Sequence, residues 1–66
     1  MKPTIHPLKE VLYEFHHSGK AIRIVAIDPV TGTEVTMVGA QGYSREHLKK
    51  LAARKLAYVL SKQQNR

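Results

Sequence analysis

The segment KAIRIVAI, residues 20–27, is apolar on both of the faces that an extended strand would present. Its alternate residues are Ile22, Ile24 and Ala26 on one face and Arg23, Val25 and Ile27 on the other. Strands that are apolar on both faces are typical of the interior of a sheet. We therefore expect this segment to be a central strand with a neighbouring strand on each side.

Two further segments with strand character flank it. EVLYEFHH, residues 10–17, and TEVTMVG, residues 33–39, both show the period-two alternation of strands. The dipeptide Ser18-Gly19 favours a two-residue hairpin turn, because glycine tolerates the positive φ that such turns need. The DPVTG loop, residues 28–32, has an aspartate that can bond to its own backbone and a glycine that can become left-handed. Both connections therefore predict antiparallel hairpins.

A single helix follows the strands. Ser44 is placed to cap its first turn, where Glu46 suits the helix dipole, and the helical pattern continues to about Lys62. The predicted fold class is α+β: a three-stranded antiparallel meander with one C-terminal helix packed on one face, in the order β-β-β-α. Residues 1–9 are expected to form an irregular lead-in, residues 10–62 a single domain and residues 63–66 a frayed basic tail.

One side of the predicted helix is apolar and should cover the sheet. This stripe consists of Leu48, Leu51, Ala52, Leu56 and Val59. Lys55 falls inside the stripe, where a buried ammonium would be costly. We expect the Lys55 side chain to pack its stem and to extend its charged end past the sheet edge. The alternative is a functional cation held in an apolar setting.

The chain has 66 residues and no cysteine. A domain of this size buries only about 60% of its unfolded surface, so its core is small and dimerisation or a partner would add stability. The lack of cysteine leaves no disulfide or thiolate metal site and suits a reducing compartment, and we expect a cytoplasmic location. Pro3 and Pro7 stand where a secretion signal needs an apolar run. No apolar stretch approaches the roughly 20 residues of a membrane span.

No arrangement of residues predicts catalysis, a metal site or a bound cofactor. His16 and His17 are neighbours on a strand and would point to opposite faces. The serines fall in a turn, a cap and the tail, and no two carboxylates are paired for acid–base chemistry. Gly39 and Gly42 form only a GxxG, without the lysine of a P-loop. We therefore expect a protein that is not an enzyme and that has no small-molecule substrate.

The formal net charge is +6, with an isoelectric point of about 10.0. Such a surplus favours anionic partners: nucleic acid, an acidic protein or a lipid surface. The first hypothesis is nucleic-acid binding through a basic, phosphate-directed helix surface with low sequence specificity. Its candidate residues are Arg45, Lys49, Lys50 and Arg54, aided by Lys20, Lys62 and Arg66. The alternative is that these charges form only the solvated side of a core helix, because they surround the helix rather than follow one stripe.

The sheet face that the helix leaves open supplies the second hypothesis. A contiguous apolar patch on a small domain usually marks an interface, so we expect a protein-interaction surface or a homodimer contact there. The candidate residues are Leu12, Arg23, Val25, Ile27 and Val38. Two alternatives stay open: the lead-in folds back over this face with Ile5 and Leu8, or the face binds nucleic acid.

Residues 10–62 look like a small bacterial family of uncharacterised domains, with the AIDPVTGTEV hairpin and the LAARKLAYVL helix as the recognisable parts. That resemblance implies no known function. The segment KAIRIVAIDPVTGTEVTMVG and the helix after it are similar to the arm-binding N-terminal domains of phage integrases, whose sheet enters the DNA major groove. Here acids and aliphatic residues occupy the face where that family has basic and polar ones.

The strands followed by KKLA, residues 49–52, resemble the second half of a double-stranded RNA-binding domain. In that family, lysines at the start of the helix hold phosphates across the RNA major groove. Lys49 and Lys50 match the lysine pair, whereas Ala53 stands where a further lysine is expected, and the first helix of that fold is missing. Both topological likenesses imply nucleic-acid binding.

Overall fold

The computed structural model describes residues 10–40 and 42–64. They form β1 (Leu12–Ser18), β2 (Ala21–Ile27), β3 (Glu34–Ala40) and α1 (Arg45–Gln64). The strands make one antiparallel sheet in the order β1-β2-β3, with the doubly apolar β2 at its centre. The predicted α+β fold is therefore confirmed, and α1 continues two residues beyond the expected end at Lys62. The lead-in of residues 1–9, and with it the alternative that this segment covers the open sheet face, lies outside the described residues.

The turn between β1 and β2 is one residue later than the sequence pattern predicts. Ser18 stays in β1 and pairs with Ala21, so the two turn residues are Gly19 and Lys20. Gly19 has a φ of 59°. A positive φ at the first turn position and not at the second is the geometry of a type II′ hairpin, which matches the twist of the flanking strands. The turn therefore starts at the glycine and not at the serine before it.

Asp28 organises the loop between β2 and β3. Its carboxylate accepts hydrogen bonds from the Val30 N–H at 3.2 Å and from the N–H and the hydroxyl of Thr31 at 3.3 and 2.8 Å. Its backbone N–H donates to the Thr33 carbonyl at 2.9 Å, and Gly32 takes a left-handed φ of 77°. The aspartate and glycine thus play the parts that the DPVTG sequence predicts.

The start of α1 is capped by Ser44, as expected. Its Oγ accepts a hydrogen bond from the His47 N–H at 3.0 Å, and its carbonyl accepts one from the Leu48 N–H at 3.1 Å. The first bond satisfies a donor of the first turn that has no partner inside the helix, and the second is the first backbone hydrogen bond of the helix itself. The chain therefore changes from loop to helix at a fixed residue.

The core lies between α1 and one face of the sheet. Its buried members are Ile22, Ile24, Ala26, Val35, Leu48, Ala52 and Leu56. α1 lies mainly over β2 and β3. The aromatic side chains of β1, Tyr13 and Phe15, consequently reach the core from its margin and stay partly exposed.

α1 packs tightly against the sheet at Gly39. A methyl group on this residue would lie 2.6 Å from Leu48 Cδ2 and 3.3 Å from Tyr43 Cδ2. Leu48 is only 1% exposed, so it has little room to move away. The absence of a side chain at Gly39 therefore allows the first turns of α1 to pack directly on β3.

Candidate functional site

The outermost side of α1 carries Lys50 and Arg54. Both side chains are exposed, and within the described residues neither has an ion-pair partner. They are four residues apart, so they lie next to each other on the helix surface. Two like charges at this spacing destabilise a helix by about 0.2–0.5 kcal/mol, and a bound anion would relieve that repulsion.

A second pair of cations lies on the flank of α1 that faces β1. The Arg45 guanidinium lies 4.7 Å from the centre of the Phe15 ring, and the Lys49 ammonium lies 5.3 Å from the centre of the Tyr13 ring. Lys49 also lies 3.8 Å from the carboxylate of Glu46. These contacts hold the two cations at the margin of β1, where the helix does not cover the aromatic rings.

The third group of cations faces β3. The Lys62 ammonium lies 5.5 Å from the centre of the Tyr58 ring, which belongs to a residue that is 63% exposed. The Lys55 ammonium donates a hydrogen bond to the backbone carbonyl of Thr36 at 3.1 Å. Lys55 is exposed and reaches the sheet edge, as expected for a lysine on an apolar stripe. Its carbonyl partner could not be read from the sequence.

The carbonyl that Lys55 contacts belongs to the free edge of β3. Because Asp28 donates its N–H to Thr33, the even-numbered residues of β2 direct their backbone groups towards β3. Antiparallel ladders alternate, so Thr36, which pairs with Val25, directs its own backbone groups away from β2. Lys55 therefore lies across the edge of the sheet, where a cation discourages pairing with another strand.

The structure brings together some of the predicted nucleic-acid residues and separates others. Arg45, Lys49, Lys50 and Arg54 occupy two neighbouring rows on α1. Lys20 lies in the β1–β2 turn, at the end of the sheet where α1 begins. Ile22 follows Lys20 by two residues and pairs with Gly39, the residue against which the first turns of α1 pack. Lys62 lies about 12 Å further along the axis of α1 than Arg54, on the flank opposite to Arg45 and Lys49. Arg66 lies outside the described residues.

The charges of the described residues are divided between the two layers of the fold. α1 carries six Lys or Arg residues and one acid, Glu46. Residues 10–40 carry two basic residues and four acids. The helix layer is thus strongly positive, whereas the strand layer carries a small negative excess. A polyanion is attracted towards the helix side of such a molecule.

The residues predicted for a protein interface share the sheet face that is turned away from α1. Leu12 pairs with Ile27, Arg23 pairs with Val38, and Val25 lies between these pairs. Leu12 is 47% exposed and Val38 is 66% exposed, but Val25 is only 8% exposed. Val25 therefore offers little surface of its own, because neighbouring side chains already surround it on the middle strand, and the protein interface on this face stays a prediction.

The histidines of β1 are divided as their sequence positions predict. His16 pairs across the sheet with Arg23 and His17 with Ile22, so the two rings lie on opposite faces. His16 Nε2 lies 3.3 Å from the Glu14 carboxylate on the open face. Within residues 10–40 and 42–64, no group of three or more His, Cys, Asp or Glu side chains is arranged to hold a metal ion.

The phenol of Tyr13 has a raised pKa. Burial against the core raises the pKa of its phenol above the usual 10.0, and the carboxylate of Glu46 raises it further. Both effects disfavour the phenolate. Tyr13 therefore stays neutral and packs as an aromatic side chain beneath Lys49.

The sequence matches a known protein family over residues 8–63, a family described as Domain of unknown function (DUF6898). The chain belongs to this family. The match covers all three strands of the DUF6898 domain and nearly all of α1. The resemblance to a family of uncharacterised domains is thereby confirmed. No curated protein and no solved structure matches the chain, so the likenesses to integrase and RNA-binding domains stay predictions.

The described part of the DUF6898 domain contains no helix that is both long and apolar enough to cross a membrane.

Sequence reasoning missed two features of the domain surface. One is the pairing of Arg45 and Lys49 with the rings of Phe15 and Tyr13. The other is the displacement of α1 towards β3, which leaves β1 at an open margin. The only signal for either was the presence of aromatic residues on the first strand.

Proposed function

We propose that this protein is a small, non-catalytic binding module that holds the phosphates of a nucleic acid against the exposed side of α1. The observation that carries the proposal is the division of charge: six basic residues and one acid on the helix, against two basic residues and four acids in residues 10–40. Phosphate contact requires clustered cations that are free to approach the backbone. Lys50 and Arg54 meet that requirement best.

The neighbouring row supports the same surface. Arg45 and Lys49 lie over aromatic rings, so their side chains are partly ordered before any ligand arrives. Ordering a long side chain beforehand lowers the entropy cost of binding. Together the two rows offer four cations along the first half of α1, with Lys20 at the same end of the sheet.

Low sequence specificity follows from the kind of side chains on this surface. Phosphate contacts position a protein on a nucleic acid, whereas contacts with base edges read its sequence. The exposed side of α1 continues after Arg54 with Ala57 and Ser61, which are short and offer little reach into a groove. Binding should therefore depend more on charge and salt than on base sequence.

The direct test measures binding of a mixed-sequence DNA duplex and an RNA duplex by fluorescence anisotropy, at low and then moderate salt. Arg54→Glu should weaken binding about tenfold and reduce the salt slope by about one. The matched control is Arg23→Glu, the same charge change on the open sheet face. This control should bind almost as well as the wild-type protein.

Three outcomes would count against the proposal. Equal losses from the two variants would mean that only net charge matters. A larger loss from Arg23→Glu would transfer the binding surface to the open sheet face. No binding of either duplex at low salt would mean that the helix charges are only the solvated side of a core helix.

A protein contact through the open sheet face is the second candidate function. It rests on the exposure of Leu12 and Val38, which lie at the two ends of a diagonal across the sheet with Val25 at its centre. Replacing Val38 by lysine should abolish such a contact without disturbing the core, since this side chain is 66% exposed. Unchanged hydrodynamic behaviour and unchanged partner binding in Val38→Lys would refute it.

A further inference from the structure

The two edges of the sheet differ in how they are protected. At β3, Lys55 reaches across the edge and donates to the Thr36 carbonyl. At β1, the side chains contributed by α1 are those of Arg45 and Lys49, and they lie over the rings of Phe15 and Tyr13 rather than on the backbone. Within the described residues, no strand lies beyond β1. An edge strand without such protection is a template for pairing with another strand.

The backbone groups on the outer side of β1 can be assigned from the ladder. The even-numbered residues of β2 bond to β3, so its odd-numbered residues bond to β1. Val25 pairs with Glu14, and therefore the even-numbered residues of β1 face β2. Tyr13, Phe15 and His17 consequently direct their N–H and C=O groups outwards along the free edge.

The order of side chains on β1 fits a second copy of the same strand. If two β1 strands run antiparallel with Phe15 opposite Phe15, then Glu14 lies opposite His16 of the second copy and His16 lies opposite its Glu14. Both residues are exposed and share the open face of the sheet. Directly opposed side chains in such a pair come within about 4.5–5.5 Å at Cβ, close enough for a carboxylate to accept a hydrogen bond from an imidazole.

Neighbouring registers lack this complementarity. The smallest shifts that keep the odd-numbered residues of both strands facing each other are by two residues. A shift in one direction places Glu14 opposite Glu14, and a shift in the other direction places His16 opposite His16. Directly opposed carboxylates are destabilising, and the register that opposes the two imidazoles leaves each Glu14 carboxylate without a His16 partner. The order Glu-Phe-His therefore favours one register, and it does so with the two-fold symmetry that most homodimers have.

We propose that two copies of this protein pair through their β1 edges to form one continuous six-stranded antiparallel sheet, with Glu14 of each copy opposite His16 of the other. Opposed residues lie on the same side of a sheet, so both α1 helices would cover the same face. The pairing would join the partly exposed rings of Phe15 at the centre and enlarge a core that is small for a single chain. This pairing does not rest on the proposed nucleic-acid binding.

The test uses sedimentation equilibrium on the full chain and on two charge variants. The wild-type protein should approach twice the chain mass of 7.5 kDa as the concentration rises. Glu14→Arg places cations opposite His16, and His16→Glu places carboxylates opposite Glu14, so each variant alone should dimerise about tenfold more weakly. An equimolar mixture should recover the dimer, because the arginine of Glu14→Arg then faces the glutamate of His16→Glu in one pair, while the native His16 faces the native Glu14 in the other.

Glu34→Arg on β3 is the matched control for charge reversal at an edge strand and should dimerise like the wild-type protein. Circular dichroism of each variant verifies that the chain is folded, and recovery of the dimer in the mixture verifies it independently. A wild-type protein that stays at 7.5 kDa at millimolar concentration overturns the proposal. A dimer that survives both single variants, or a mixture that stays monomeric, also overturns it, because the contact would then lie elsewhere.

Discussion

Replacing Gly39 by alanine should destabilise the protein through one identified contact. The new methyl group would lie 2.6 Å from Leu48 Cδ2 and 3.3 Å from Tyr43 Cδ2. Overpacking of a tight core costs about 1–3 kcal/mol, whereas alanine in a strand gains about 0.5–1 kcal/mol over glycine from backbone entropy. The expected net loss is about 1–2 kcal/mol in the free energy of unfolding.

The assay is urea denaturation followed by far-UV circular dichroism, with linear extrapolation to water. For a domain of this size, a loss of 1 kcal/mol should also lower the melting temperature by about 4–8 °C. Gly42→Ala is the matched control, because no atom lies within 4 Å of its added methyl group and its φ is not positive. This control should be stabilised by about 0.4–1 kcal/mol.

A second-site change isolates the contact from other effects. Leu48→Val removes both Cδ methyl groups, including the one that Gly39→Ala would meet. In the Leu48→Val background, Gly39→Ala should be neutral or slightly stabilising, so the two changes should couple by about 1 kcal/mol or more. If Gly39→Ala proves neutral in the wild-type protein, or equally destabilising in both backgrounds, the close approach of α1 at this position is not what requires glycine.

Three further changes test separate parts of the structure. Asp28→Ala removes the acceptor of three loop hydrogen bonds and should cost about 1–3 kcal/mol in the same urea assay; a change below the fitting error would contradict the loop's dependence on this carboxylate. Lys55→Met keeps the apolar stem but removes the donor to the Thr36 carbonyl; light scattering should then detect association beyond that of the wild-type protein, and an unchanged mass would mean that this lysine does not protect the edge. Burial, aided by Glu46, raises the pKa of Tyr13 above 10.0, so the stability from its neutral phenol is complete below the unfolded-state pKa and is lost as the pH rises through the raised value. Urea midpoints should consequently fall more steeply above about pH 10 in the wild-type protein than in Tyr13→Phe, and parallel profiles would refute this.

The sequence was sufficient for the order and type of the elements because those depend on local signals. Alternation of side chains, a capping serine and the DPVTG loop each act within a few residues, and each predicts the element that is found. The turn at Gly19 was misplaced by one position, because Ser18 is equally suited to a strand end and to a turn. Such one-residue ambiguity is typical of element boundaries.

The surface was harder to predict because it depends on how the layers are placed. The lateral position of α1 follows from its close approach at Gly39, which no periodic pattern reports. That position leaves Tyr13 and Phe15 at an open margin and brings cations over their rings. The burial of Val25 likewise depends on the strands that flank it and not on its own segment.

The order of the elements along the chain affects how the protein can fold while it is being synthesised. β1, β2 and β3 are made before α1, yet Leu48, Ala52 and Leu56 of α1 supply the buried layer that covers the sheet. A two-stranded hairpin is marginally stable at best in water, and the third strand still leaves the apolar face of the sheet uncovered. The nascent strands should therefore stay unfolded until α1 has left the ribosome. All strand pairs then join neighbours in the chain through short turns, which keeps the loops to be closed short and favours rapid, cooperative folding.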